Sequence, residues 1–292
     1  MNSDTPLPVS RLQLAGRWLG HDRSTAFSGL LLLAIAVPCL LAPLVAPYDP
    51  SAQPDIIALQ NRPPSMDHPM GTDPFSRDVL SRLLHGGRLS LTVAILATLV
   101  SMTVGTAYGA AAGYTRGLTS GILERLLDAL LSIPRLLLLI AVFAAWRDMP
   151  LSGFVAILGL TGWYGVARLV RGQVLALTRQ DFVASAQALG ATRFRILVRH
   201  ILPNVMTPVI VAATLGIGHV IVLEAGLSWL GIGVHQPTPS WGNMIQDGSD
   251  QIAAHWWISL FPGLAIVMTV MAFNILGDAL LRTLSGRRTV TR

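Results

Sequence analysis

The chain has 292 residues, of which 52% are hydrophobic and 12% charged, and its mean hydropathy of +0.57 is too high for a soluble domain of this length. All 21 basic residues are arginine, so the lysine of a GxxxxGK[ST] phosphate-binding loop is missing and the chain cannot itself be a P-loop ATPase. The single cysteine, Cys39, excludes an internal disulfide framework and leaves the redox compartment open.

Apolar runs long enough to cross about 30 Å of hydrocarbon, roughly 20 residues each, predict an all-α, polytopic membrane protein with six transmembrane helices. The six runs lie near 27–47, 89–113, 126–146, 151–171, 205–227 and 257–281. We expect a cytoplasmic segment over 1–26, a first transmembrane helix over 27–47, an extracytoplasmic segment over 48–87, a transmembrane domain of five helices over 88–282, and a cytoplasmic tail over 283–292.

Arginines are distributed unevenly between the two sides of the membrane. With six spans, both termini share one side with the loops near 114–125 and 172–204, and that side receives fifteen arginines against five on the other. Because positive residues favour the cytoplasmic side, both termini are predicted to be cytoplasmic. The net charge of +6 reflects this orientation rather than nucleic-acid binding, which would need a soluble basic face.

The first 26 residues fit a short helix lying at the membrane interface, although a tail that simply carries cytoplasmic arginines explains them equally well. The pattern consists of Leu12, Trp18 and Leu19 set among Arg11, Arg17 and Arg23. The run that follows is predicted to be an uncleaved anchor helix, because it has no A-x-A exit and five more apolar runs come after it.

The extracytoplasmic segment is predicted to contain one helix, which starts at Asp73-Pro74, runs through Leu84 and ends at Gly86-Gly87. Several of its side chains are of metal-ligating types, but turn and cap roles explain the carboxylates better. These residues are Asp67, His68, Asp73 and Asp78.

Charged residues fall within or at the ends of several apolar runs, where a central charge costs about 2.5–3.5 kcal/mol on insertion scales. They are Asp128, Arg135, Glu224 and Asp278. Pro134 and Arg135 predict a kink in the third span. Glu224 and Arg135 are our candidates for the wall of a translocation path. The alternative role is a hydrogen-bond or ion-pair partner between helices for Glu224, and a membrane anchor or an interhelical partner for Arg135.

A hairpin of two short amphipathic helices is predicted over about 178–204. Asp181 starts the first helix, Gly190 supplies the left-handed residue at its end, and Pro203 stops the second. The apolar stripes contain Phe182, Ala186 and Leu189 on the first helix and Phe194, Leu197, Val198 and Ile201 on the second, where Arg195 and Arg199 project one turn apart. Small residues that allow close approach by another backbone are Ala184, Ser185, Ala186, Ala188 and Ala191. A helix that only places arginines at lipid headgroups is the alternative.

The stretch FVASAQALGATRFRILVRHILPN, residues 182–204, resembles the EAA loop of ABC importer membrane subunits, in which a small-residue cluster precedes a glycine and, thirteen residues later, a proline. Gly190 and Pro203 keep that spacing. Ala184 and Ser185 depart from it where the family commonly has Glu and Ala, so a salt bridge from that glutamate is not carried over. The resemblance implies that the hairpin seats in a groove of an ATPase, with Phe182, Leu189 and Phe194 as anchors and Arg195 and Arg199 as charged contacts.

Three further stretches are similar to the peptide and nickel branch of these importers: HPMGTDPFSRDVLSRLLHGGRLSL, LEAGLSWLGIGVHQPTPSWGNMI and WWISLFPGLAIVMTVMAFNILGDALLRTL. The resemblance implies the type I ABC importer fold and a bacterial inner-membrane location. The implied partners are a homologous second permease, two ATPases that use ATP and Mg²⁺, and an extracytoplasmic binding protein. The chain itself would hold no cofactor and catalyse no reaction. Di- or oligopeptides are the expected cargo, with nickel, glutathione or another small solute left open.

Two other classes of protein fit the sequence less well. A secondary transporter would usually show internal repeats and broken helices that meet at mid-membrane, and we find no clear repeat. An intramembrane enzyme would need a motif such as HExxH or GxSxG, and neither occurs in the sequence.

Overall fold

The computed structural model describes residues 23–146 and 149–284, and every regular element in these two ranges is a helix. Residues 1–22, which hold most of the predicted interfacial helix, and nearly all of the predicted tail lie outside the described residues, while residues 23–26 belong to the first helix. In chain order the helices are α1 (Arg23–Leu40), α2 (Ala42–Val45), α3 (Ile56–Leu59), α4 (Val79–Tyr114), α5 (Leu118–Leu131), α6 (Arg135–Ala145), α7 (Leu151–Leu177), α8 (Asp181–Ala188), α9 (Arg193–Ile196), α10 (Leu202–Trp229), α11 (Trp241–Ser249) and α12 (Trp257–Leu284). A π-helical turn, Leu197–Ile201, joins α9 to α10.

Four of the six predicted spans are confirmed as single apolar helices long enough to cross a membrane. They are α4, α7, the continuous stretch Arg193–Trp229, and α12. The third predicted span is a pair of helices, α5 and α6, bent by 72° at the break between them. The first is shorter than expected, because its apolar helix ends at Leu40 and only the single turn of α2 follows.

The bend in the third span confirms the predicted kink and has a local cause. Pro134 is the residue that immediately precedes α6, and it has an extended backbone. Proline has no N–H to continue the hydrogen bonds of α5, so the first helix ends before it and the second starts in a new direction.

The sequence predicts a helix from Asp73 to Gly86, and both predicted ends are wrong. Asp73 instead forms a tight turn, because its Oδ1 accepts hydrogen bonds from the backbone N–H groups of Phe75 and Arg77. The helix starts at Val79, where the carboxylate of Asp78 caps it by accepting from Ser81 N at 2.7 Å. It then continues through both glycines to Tyr114.

Gly87 is needed for close packing rather than for a helix end. A Cβ atom at Gly87 would lie 2.7 Å from the ring of Trp241 and would also overlap Cys39 Sγ. Trp241 is buried in this contact and donates from Nε1 to the carbonyl oxygen of Leu83 at 3.0 Å. The glycine pair therefore lets α4 continue unbroken beside α11.

A glycine seam brings two spans, α4 and α7, into close contact. Gly105, Gly109 and Gly113 stand one turn apart on α4, and each faces the backbone or a valine of α7. At Gly109, a Cβ would lie 2.5 Å from the carbonyl oxygen of Ala167 and 2.8 Å from Cβ of Val170. Small residues at such spacing allow two backbones to approach closely in a membrane.

Replacing Gly109 with valine should separate α4 from α7 and lower the melting temperature of the purified protein. Forced overpacking of this kind typically costs about 1–3 kcal/mol. The control is Gly172→Val on α7, where no atom lies within 4 Å of the added Cβ. Equal melting temperatures for the two variants would contradict the seam.

Two apolar clusters hold opposite ends of the bundle together. One contains Trp241, Ile221, Leu227, Leu91 and Cys39 and joins α1, α4, α10 and α11. The other lies beneath the 178–204 hairpin and joins it to α4, α7 and α10. We call these the far end and the hairpin end of the bundle.

Candidate functional site

The first limb of the hairpin is α8, and its end is built as predicted around Gly190. Gly190 has a φ of +79°, in the left-handed region that favours glycine. The N–H of Gly190 bonds to Gln187 O and that of Ala191 to Ala186 O, a complete Schellman motif. The bend between the two limbs is therefore fixed by hydrogen bonds as well as by residue type.

The second limb differs from the prediction because it does not stop at Pro203. Thr192 caps α9 by accepting from Arg195 N, and the helix then passes through the π-helical turn into α10 without a break. In that turn the N–H of Leu202 bonds to Leu197 O, one residue farther back than in an α-helix. Pro203 comes directly after this widened turn and lies inside the continuous helix, which it does not stop.

The inner side of the hairpin is packed against the spans. Val183, Ile196 and Ile201 are at most 1% exposed, and they join Val174 and Val205 in the apolar cluster of the hairpin end. Ala186, Ala191 and Leu197 are half-buried against the same cluster. Burial on this side attaches the hairpin to the bundle.

The outer side of the hairpin is uncovered and apolar. Phe182, Leu189 and Phe194, the predicted anchors, are 36%, 88% and 76% exposed. The other residues predicted for the loop that also lie on this exposed side are Ala184, Ser185, Arg195, Arg199 and Pro203. We call this set the outer face of the hairpin. Neither arginine of this face forms an ion pair within the described part of the chain.

Glu224 is completely buried at the far end of α10. Its carboxylate accepts from Ser90 Oγ at 2.9 Å and from Ser228 Oγ at 2.8 Å, which ties α4 to α10. The Ser90 Oγ in turn accepts from Trp241 N at 3.4 Å, so α11 joins the same group. This geometry fits the role of hydrogen-bond partner between helices, and Glu224 lines none of the cavities described in the bundle.

Arg135 lies just after the bend of the third span and points into the bundle. Its Nη2 donates to Leu158 O at 2.8 Å, and its Nε donates to Thr161 Oγ1 at 3.3 Å. The guanidinium passes over Gly162, where an added Cβ would lie 3.0 Å from Nη2. It borders an open cavity of about 310 Å³ between α4, α6, α7 and α10, whose lining includes the exposed residues Leu215 and His219. Arg135 and Glu224 therefore belong to different regions of the bundle.

A buried ion-pair network at the far end was not predicted. Arg77 binds Asp73 at 2.5 Å and Asp247 at 2.9 Å, while Arg82, fully buried, lies 3.4 Å and 3.3 Å from the same two carboxylates. Gln236 joins it through Arg77 at 2.7 Å. Burial raises the pKa of Asp247, and the two arginines act in the opposite direction. The sequence signal was weak, because Asp247 and Gln236 lie more than 150 positions from the two arginines in the chain.

The family model for the inner membrane component of binding-protein-dependent transport systems matches residues 104–290. The chain belongs to that family. It is accordingly a multi-pass membrane protein of the ABC transporter permease type. The matched range contains the bent third span, the hairpin and Glu224.

Relatives from two bacteria show how far this membership extends along the chain. The dipeptide transport system permease protein DppC of Bacillus subtilis is 39% identical over 93% of this chain and 84% of its own length. The oligopeptide transport system permease protein OppC of Escherichia coli is 38% identical over 92% of this chain and 88% of its own. The resemblance to the peptide branch expected from the sequence is thus confirmed.

The fold also matches that of an ABC transporter of known structure. A structure of the MetNI methionine ABC transporter in an inward-facing conformation matches 70% of this chain and 96% of that chain, with a TM-score of 0.59 at 18% identity. The predicted type I ABC importer fold is thereby confirmed for the membrane domain.

Proposed function

We propose that this chain is one of two membrane subunits of an ATP-driven importer of di- or oligopeptides. The names of its relatives support the cargo class, since DppC and OppC are permeases for dipeptides and oligopeptides. A homologous second permease, two ATPases and an extracytoplasmic binding protein would complete the importer. ATP and Mg²⁺ would act in the ATPases, so this chain would contribute the pathway and no catalysis.

The observation that carries the proposal is the outer face of the hairpin. Three large apolar side chains stand uncovered at one end of a membrane protein, on a bend fixed by hydrogen bonds. Large exposed apolar groups on a rigid element are typical anchors for a protein partner. In this reading Phe182, Leu189 and Phe194 insert into an ATPase, and Arg195 and Arg199 contact charged groups around its groove.

The first test is purification of the tagged full chain from its native membrane in mild detergent. We expect a P-loop ATPase and a second permease to co-purify, and ATP hydrolysis by the reconstituted complex to rise when peptide-loaded binding protein is added. Recovery of the chain alone in several mild detergents, without peptide-dependent ATP hydrolysis, would contradict the proposal.

The proposed orientation has both termini and the hairpin in the cytoplasm, and it can be tested by cysteine labelling. The chain has a single, buried cysteine, Cys39, which can be replaced by serine. In that background, Ile57→Cys should react with a membrane-impermeant maleimide in right-side-out vesicles, and Arg116→Cys should react only in inside-out vesicles. Both parent residues are exposed. The reverse pattern would show the opposite orientation.

A further inference from the structure

The cavity beside Arg135 combines an apolar wall with four polar side chains, of which Ser101 already donates to the carbonyl oxygen of Gly159. The other three are Thr98 of α4, Arg135 of α6 and His219 of α10, and the rest of the lining is small or aliphatic. Because the three residues come from three helices, the fold and not one local motif brings them together. Charged groups at membrane depth are costly and usually mark the path of a polar substrate or ion.

The guanidinium of Arg135 has capacity to bind a ligand. Its described hydrogen bonds use Nε and Nη2 on neutral oxygens of Thr161 and Leu158, and none is formed by Nη1. No carboxylate in the described part of the chain forms an ion pair with it. A cation within the bundle that has only neutral partners favours an anion beside it.

Thr98 provides a second and independent indication of a ligand. Its side chain is only 4% exposed, and its buried Oγ1 has no hydrogen-bond partner. Gly216 of α10 packs beside it, and a Cβ there would contact Thr98 Cγ2 at 3.4 Å and Oγ1 at 3.9 Å without supplying a hydrogen-bond partner. A buried hydroxyl is normally paired, since leaving it unpaired costs about 1–3 kcal/mol.

We propose that this cavity is a subsite for a carboxylate of the cargo, with Arg135 as the charged donor and Thr98 and His219 as hydrogen-bonding partners. This rests on the proposed function. The planar guanidinium matches a carboxylate in shape and makes strong charge-assisted hydrogen bonds to it. In a peptide, the C-terminal carboxylate is present whatever the side chains are. A site for that group would accept many sequences.

A carboxylate on another membrane subunit is the competing partner for Arg135. The two partners differ in their consequences, because losing a contact to another subunit would lower uptake of every peptide, whether or not it carries a free carboxylate.

The decisive experiment compares uptake of a peptide with uptake of the same peptide amidated at its C-terminus, in vesicles that contain the purified complex and its binding protein. Arg135→Met should lower ATP-driven uptake of the free peptide about tenfold or more, the usual loss for a charge-assisted hydrogen bond. Uptake of the amidated peptide should change little. The binding protein is the same in the wild-type and the Arg135→Met complexes, so its own preference cancels. The ratio of the loss in uptake of free peptide to the loss in uptake of amidated peptide therefore reports the effect of the substitution in this chain.

Two variants control for damage to the cavity. Arg135→Lys keeps the charge and should recover part of the selectivity for the free peptide. Leu169→Ala removes an apolar side chain from the same wall and should affect both peptides equally. If Arg135→Met lowers uptake of both peptides equally, or of neither, the subsite is overturned and a structural role for Arg135 is supported.

A binding measurement separates this inference from the peptide function. N-acetylalanine should raise the melting temperature of the purified wild-type complex more than N-acetylalaninamide does, and Arg135→Met or Thr98→Val should reduce that difference. Equal shifts with the two compounds would overturn the subsite even if peptides are imported. A wild-type complex that imports neither peptide would instead contradict the proposed function, while a carboxylate-dependent shift would still support the subsite.

Discussion

Replacing both Leu189 and Phe194 with alanine should release the ATPase subunits from the purified complex and abolish peptide-stimulated ATP hydrolysis. These are the two most exposed apolar side chains on the outer face of the hairpin, at 88% and 76%. Truncation of an anchor of this kind usually costs at least about 2 kcal/mol, or roughly thirtyfold in affinity, so two together should exceed what a detergent-solubilised complex tolerates. The measurement is the ratio of ATPase to tagged chain after affinity purification.

Leu118→Ala is the matched control for that double variant. Leu118 is 82% exposed at the start of α5, at the same end of the bundle, but it lies outside the hairpin. It should leave the ratio of ATPase to tagged chain unchanged. Full recovery of the ATPase with the Leu189 and Phe194 double variant, or equal loss with Leu118→Ala, would contradict docking through the hairpin.

Replacing Arg82 with methionine should lower the free energy of unfolding by about 3–5 kcal/mol, the usual cost of removing one partner from a buried ion pair. The fully buried guanidinium lies between the carboxylates of Asp73 and Asp247, and Arg77 alone would then have to compensate both. The network joins the turn before α4 to α11, so its loss should loosen the far end. Thermal unfolding in detergent measures the effect.

Arg88→Met provides the comparison for Arg82, because it removes an exposed arginine from the same helix. Its effect should stay within about 0.5 kcal/mol, as is usual for surface substitutions. If the Arg82 variant has the same melting temperature as the Arg88 variant, the ion-pair network does not stabilise the fold.

Features governed by a few neighbouring residues could be predicted from the sequence. The left-handed turn at Gly190 and the kink at Pro134 follow from the conformations that glycine and proline allow, and both are confirmed. Four of the spans were recognisable from length and hydropathy alone. For the outer face of the hairpin, the sequence predicted apolar stripes on the two helices but not which residues would be exposed. The docking role of this face stays a prediction.

Features that depend on distant contacts were missed or misassigned. The sequence predicts a helix end at Gly87. The real reason for this glycine is its contact with Trp241, which cannot be seen from neighbouring residues because the two positions are far apart in the chain. Asp73 and Asp78 are equally good caps by residue type, and only the turn around Asp73 decides between them. The sequence predicts that the helix ends at Pro203, because no sequence pattern predicts the π-helical turn that precedes this proline.

Because the helix continues without a break from α9 into α10, a movement of the hairpin is transmitted along this whole span. Arg193–Trp229 forms one stretch of 37 residues, which acts as a lever about 55 Å long at the usual rise of an α-helix. A tilt of about 5° would move one end relative to the other by about 5 Å, comparable to one helical turn. Glu224 lies near the opposite end of the same lever, so a partner that pushes on the hairpin would shift its contact with Ser90 of α4 directly, without a relay of side chains.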